Sequence, residues 1–218
     1  MRKTLMMLSM LLLSACLTTK EPHNVSMDEL SNYRIAKIDV SIEEWIRWYG
    51  GQEQYAESIG CRATTSSVKP EDRQELKHTD DENSCDFASV VESPEAIAYM
   101  HGRLSDIMFE TVEEVYADSL SGPIPATLKV NINRLDIIGT GQGILIGGNH
   151  RLVGSIELVD QKTGTLIISS TRFSVSVRHG GIGGIIASAI IGPIPNLLSE
   201  HFAQKSHHWL MGNSVIQL

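Results

Sequence analysis

The sequence predicts an α+β fold: a mainly antiparallel sheet with helices packed on one face, a two-layer sandwich. Three observations carry the prediction. Apolar residues between 97 and 116 recur with the 3.6-residue period of a long amphipathic helix. Segments near 33–42, 127–138, 151–159 and 165–178 carry period-2 faces, as strands do. A second amphipathic stretch, 196–211, closes the chain. The resulting order is strand, long helix, three antiparallel strands, terminal helix.

The amino terminus is read first. Arg2 and Lys3 precede an apolar run over 4–13. Ten residues are too few to cross about 30 Å of hydrocarbon as a helix, which takes about 20. The run therefore reads as an export signal. It ends in Leu13-Ser14-Ala15-Cys16, which resembles the bacterial lipobox, Leu-(Ala/Ser)-(Gly/Ala)-Cys. The resemblance implies a signal peptide over 1–15, acylation of Cys16 and palmitate among the attached chains. More than one acyl chain makes such an anchor stable, each buried CH2 contributing about 0.8 kcal/mol. Leu17 follows the cysteine where the inner-membrane retention signal of such lipoproteins is Asp. The resemblance thus implies the outer membrane, with the protein lipid-anchored and facing the periplasm. Residues 16–30, polar and without periodicity, read as a lipidated tether, and 31–218 as a single α+β domain.

Within the domain, Ile38, Val40 and Ile42 share one face of the first strand, opposite Lys37, Asp39 and Ser41. Trp45, Trp48 and Tyr49 follow, and Gly50-Gly51 is expected to break the chain. An insertion at about 50–92 is expected to hold little regular structure. With Cys16 acylated, Cys61 and Cys85 remain as an even pair in an oxidising compartment. A disulfide is the expectation, with free thiols as the alternative and no CxxC spacing to favour a metal. Closing this loop contributes about 3 kcal/mol in the chain-entropy account.

Ser93-Pro94-Glu95 opens the long helix as N-cap, N1 and a first-turn acid. Ile97, Met100, Leu104, Ile107, Met108, Val112, Val115 and Tyr116 form its apolar stripe, and Gly122-Pro123 ends it. The next strand shows Leu128, Val130 and Ile132, then changes parity to Leu135 and Ile137, which predicts a bulge near Asn133. The run 160–164 is a turn with Gly164 free to take positive φ. The last strand, 165–178, is read as unbroken. Ile167, Phe173, Val175 and Val177 lie on one face, and Ser170, Arg172, Ser174, Ser176 and Arg178 on the other. Such a polar face implies solvent or a partner. Leu198, Phe202 and Trp209 line the terminal helix, which stops at Gly212-Asn213.

The run 152–160 followed by Thr163-Gly164-Thr165-Leu166, with the glycines at 180–184 and the terminal helix after it, is similar to small uncharacterised bacterial envelope lipoproteins. The resemblance implies an α+β domain like the amino-terminal domain of TolB and the periplasmic domain of curli-secretion lipoproteins. It covers about 95–212 and brings no catalytic residues with it.

Function is less legible than architecture. Eighteen Lys+Arg stand against 26 Asp+Glu, a net charge of −8, and loss of Arg2 and Lys3 with the signal leaves 16 against 26, or −10. An acidic chain without clustered Lys/Arg in its sequence argues against nucleic acid. Gly139-Thr140-Gly141-Gln142-Gly143 lacks the following helix of a dinucleotide fingerprint and the Lys-Ser/Thr of a P-loop, so no cofactor is assigned. Eight histidines show no HExxH spacing, and no G-x-S-x-G is present, so no metal ligand or catalytic residue is assigned and no enzyme is expected. Two candidate surfaces remain. Gly180, Gly184, Ser188 and Gly192 form a small-residue stripe that suits an assembly or membrane-surface contact, or else a loop leading to the terminal helix. Trp45, Trp48 and Tyr49 suit either an apolar patch or a cleft for a small molecule, peptide or glycan. The expected function is a noncatalytic lipid-anchored envelope protein that binds an envelope partner or self-assembles. The ligand-holding cleft is the alternative. Labelling cells with radioactive palmitate should tag the wild-type chain and leave Cys16→Ala unlabelled; equal labelling of both would remove the anchor.

Overall fold

The chain builds its sheet in two instalments separated by a long helix. The computed structural model describes residues 18–20, 23–43, 45–61, 85–137, 148–179, 193–213 and 215–217. In chain order the elements are β1 (Thr18–Lys20), α1 (Met27–Leu30), β2 (Tyr33–Ile42), β3 (Ile46–Trp48), α2 (Tyr49–Ser58), α3 (Phe87–Val91) and α4 (Pro94–Tyr116). They continue with β4 (Ile124–Ile137), β5 (Gly148–Asp160), β6 (Leu166–Ser169), β7 (Phe173–His179), α5 (Ile194–Leu210) and β8 (Val215–Gln217). The α+β class holds, with the helices against one face of a six-stranded sheet.

Four rows of strand make up that sheet. β2 and then β3 run along one side of β4, and β5 runs along the other. β6 and β7 share the far side of β5. The β4–β5, β5–β6 and β5–β7 pairs are antiparallel, whereas β2 and β3 lie parallel to β4. The sheet is thus mixed. Parallel neighbours need a crossover, and α4 supplies it between β2 and β4.

α4 begins as its sequence dictates. Ser93 Oγ accepts the Ala96 N–H and Pro94 occupies the first turn. Met100, Leu104, Ile107, Met108, Val112 and Tyr116 are buried, but Ile97, at 41% exposure, is not; Ala96 takes the inward position in that turn. α5 packs beside α4. Tyr116 donates from its hydroxyl to Ser206 Oγ at 2.8 Å, and burial pushes that phenol up. Phe202 and Trp209 meet Phe173 edge to face at 6.1 and 5.7 Å between ring centroids.

Three local expectations are corrected. The segment read as a tether is joined to the domain wherever the structure describes it. Ser26 Oγ caps α1, Leu30 is fully buried, and the His23 ring lies 2.8 Å from the Leu210 carbonyl oxygen. β1 also pairs antiparallel with β8, which sets residues 18–20 against 215–217. Second, Gly50-Gly51 does not break the chain but lies in α2. A Cβ on Gly51 would come 2.8 Å from the Trp48 ring and 2.9 Å from Met100, so the glycine permits close packing rather than a turn. Third, the insertion is not unstructured where described. α2 and α3 flank it, Ala56 and Val91 are fully buried, and Cys61 and Cys85 are bonded with Cα atoms 5.7 Å apart.

The parity change in β4 is a bulge: pairing with β5 slips between Ile132 and Arg134, leaving Asn133 as the extra residue. The strand read as 165–178 is in fact β6 and β7, with a second slip between them. Ile168 and Ser170 are buried before it, Phe173 and Val175 after it. Ile168, not Ile167, therefore faces the core, and Ser170 is buried rather than on the polar face. The turn at 160–164 forms as expected, with Gly164 at φ 72°. Asp160 Oδ1 accepts from the Thr163 and Lys162 N–H groups, and the Thr163 bond foremost holds its carboxyl below the usual range.

Gly154 sits in β5 beside both slips, opposite Ile132 on β4 and Phe173 on β7. A Cβ there would meet the Asn131 carbonyl oxygen at 2.7 Å and Phe202 at 2.9 Å. A ladder carbonyl cannot retreat as a flexible side chain can. Gly154→Ala should lower the unfolding free energy by about 1–3 kcal/mol, read by urea denaturation; an unchanged midpoint would show that the strand yields.

Candidate functional site

The face of the sheet that no described helix covers carries the candidate site. Because strand side chains alternate, every inward core residue implies an outward neighbour. Ile46 and Trp48 face the core, so Trp45 and Arg47 face out. After the Asn133 bulge Leu135 faces inward, so Arg134 and Asp136 face out. Leu152 is buried between Arg151 and Val153, and Phe173 and Val175 are buried between Arg172, Ser174 and Ser176.

These outward residues, Ser176 excepted, line one groove of about 760 Å³ together with Glu43, which follows β2, and Asn133 of β4. Four arginines (Arg47, Arg134, Arg151 and Arg172) face two carboxylates, Glu43 and Asp136. Register explains the cluster. Arg47 is the cross-strand partner of Asp136, and Asp136 is the partner of Arg151. Arg134 lies two residues along β4 and forms an ion pair with Asp136 through Nε. One carboxylate thus stands among three guanidinium groups.

Hydrogen bonds organise part of this surface. Arg151 Nε donates to Ser174 Oγ at 2.9 Å, across β5 and β7. Asn133 Nδ2 donates to Glu43 Oε1 at 2.5 Å, while Asn133 Oδ1 has no hydrogen-bond partner among the described residues. Arg47 and Arg172 form no ion pair among the described residues. Their donor forks are available to a ligand. Trp45, 69% exposed, presents a flat apolar ring at the β3 end.

The second phase slip is what places Arg172. Ser170 N donates to the Ile156 carbonyl oxygen at 2.9 Å, and Ser170 Oγ accepts from Ile156 N at 2.9 Å. The serine side chain replaces the carbonyl that the ladder lacks there. Residues 171 and 172 lie between the two strands, and β7 starts with the opposite parity.

The aromatic trio expected to line a cleft is not brought together. The period of β3 sends Trp48 into the core at 6% exposure and Trp45 outward, while Tyr49, 45% exposed, starts α2. Of the three, Trp45 alone lines the groove. The stripe Gly180, Gly184, Ser188 and Gly192 lies outside the described residues, as does Cys16. The groove arginines were not singled out as a set, because four separate segments contribute them. Arg172 and Ser174 were the one visible sign, on the polar face of the last strand. Among the described residues no three His, Cys, Asp or Glu side chains converge for a metal. His207 packs edge-on against Tyr116 at 5.1 Å, and burial foremost, then His208, lowers its pKa.

No family model and no curated protein matches the chain. Three solved structures are similar to parts of it. A candidate lipoprotein from Caulobacter crescentus CB15 shares 19% identity at a TM-score of 0.36, over 50% of this chain and 81% of that one. Protein XCC0632 from Xanthomonas campestris shares 12% at 0.35, over 50% and 62%. Lipoprotein GNA1162 from Neisseria meningitidis shares 15% at 0.23, over 72% and 95%. At these scores no functional argument is taken from them.

Ser170→Ala should cost about 1–3 kcal/mol, because it strands the buried Ile156 N–H. Urea denaturation and amide exchange at Ile156 measure this. Full protection of that amide in the variant would mean another group caps it.

Proposed function

We propose that this chain is a noncatalytic, lipid-anchored protein of the bacterial envelope that works by binding, with the open face of its sheet as the binding surface. The observation that carries the reading is the groove in which Arg47, Arg134 and Arg151 stand around Asp136, with Arg172 and exposed Trp45 in the same lining. Cations gathered on one face of a chain with net charge −8 form a local field opposite in sign to the whole. Arg47 and Arg172 are held by no carboxylate among the described residues, which leaves bidentate donors for an acidic partner.

The anchor half of the reading rests on the lipobox resemblance at Cys16. Among the described residues no helix is long and apolar enough to cross a membrane. Outer-membrane residence and a periplasmic orientation follow from Leu17 under the sorting rule. Self-assembly through Gly180, Gly184, Ser188 and Gly192 remains a proposal of the sequence.

The test is chromatography of the mature domain, with Cys16 replaced by Ser, on a sulfonate resin at pH 7 and low ionic strength. An acidic protein with a cationic face should be retained, and Arg47→Gln/Arg172→Gln should elute at lower salt. Flow-through of the unmodified groove would overturn the open face as an anion-binding surface.

A further inference from the structure

The groove has more to it than positive charge, and its other features select among anionic ligands. It crosses four strand rows, about 14 Å at a row spacing of about 4.8 Å. The backbone N–H and C=O groups of β4 and β5 beneath it are engaged in the sheet on both sides, so a peptide lying over these two strands finds no ladder to join there. Only side chains are on offer, and they are of three kinds. Arg47 and Arg172 are planar forks with no ion-pair partner among the described residues. Glu43 and Asp136 are carboxylate acceptors, which repel a bare anion but accept from hydroxyl groups. Trp45 is a broad ring face exposed beside them.

From this combination we propose that the open-face groove binds a short anionic saccharide, about three rings long. Its carboxylate or phosphate groups meet Arg47 and Arg172, its hydroxyls meet Glu43 and Asp136, and one ring lies on Trp45. The inference rests on the open face being the binding surface and names the ligand class for it. Inorganic anions offer no ring to Trp45. Acidic peptides such as triglutamate bring no ring to Trp45, and their amides find no free ladder over β4 and β5. A rigid ring chain also loses less freedom on binding than a flexible peptide does.

Arg134 and Arg151 act differently. Asp136 holds the first and Ser174 Oγ the second, so they set the floor of the groove, and the two unpaired arginines close on the ligand. Binding by these exposed charges weakens as salt rises.

The experiment titrates the mature domain (Cys16→Ser) with trigalacturonate, a phosphorylated trisaccharide of equal length, neutral galactotriose and triglutamate. Calorimetry and tryptophan emission supply the readouts. At least one anionic trisaccharide should bind saturably, and about tenfold or more tighter than both the neutral sugar and the peptide. Which one binds separates carboxylate from phosphate. Arg47→Gln/Arg172→Gln should lose about tenfold or more and Trp45→Ala about fivefold, with unchanged circular dichroism. Trp45→Ala should also abolish the emission change that reports stacking. Triglutamate binding as tightly as the sugars would overturn the saccharide assignment while sparing the binding surface. Binding that survives the double arginine substitution would overturn the assignment to this groove. If no probe binds although the sulfonate resin retains the protein, the saccharide class fails alone; if neither occurs, both readings fail.

Discussion

Two single-residue slips of strand phase decide what this sheet can present. On β4, Ile132 and Leu135 both face the core although two residues lie between them, where a regular strand would have an odd number, and the surplus residue is Asn133. Between β6 and β7, Ser170 and Phe173 stand in the same relation. Without the first slip, keeping Ile132 inward would also send Arg134 and Asp136 inward. Without the second, burial of Ile168 would carry Arg172 and Ser174 inward with it. A buried unpaired guanidinium costs several kcal/mol, so the phase changes and the polar groove are one feature. Both slips flank Gly154, where the space of a side chain is already taken by a ladder carbonyl and Phe202.

This constraint also accounts for what could be read in advance. The Asn133 bulge was legible because apolar residues stand on both sides of it, and the parity change is written in Leu128, Val130, Ile132, Leu135 and Ile137. The second slip was hidden because Ser170 looks like an outward residue. Its hydroxyl stands in for a backbone carbonyl, a role no hydropathy pattern records. Gly51 was misread for a related reason. Its glycine signals a break in sequence, but in the fold it lets α2 approach Trp48 and Met100. α4 and its Ser93 cap were legible throughout, since both signals are local.

The groove itself belongs to the class of features that sequence spreads out. Arg47, Arg134, Arg151 and Arg172 are far apart in the chain and become neighbours through register alone. The absence of a basic run in the sequence therefore says little about basic surfaces in the fold. Trp45 and Trp48 show the converse: neighbours in sequence, they end on opposite faces of one strand.

Charge and anchoring then bear on each other. A chain of net charge −8 repels polyanions at long range, while the arginines attract them near the surface. At physiological ionic strength exposed charges are screened beyond about 8 Å, so both influences fade quickly with distance. Electrostatic steering thus adds little to the encounter, and proximity must supply the rest. A lipid on Cys16 would provide that proximity. One residue, Leu17, separates it from β1, which pairs with β8, and the reach of one residue is about 3.5 Å. The anchor would join the chain at the edge of a folded ladder rather than at the end of a long free tether. A short-range cationic groove suits a domain confined in this way, because the attraction it offers matters only to ligands already at the same surface.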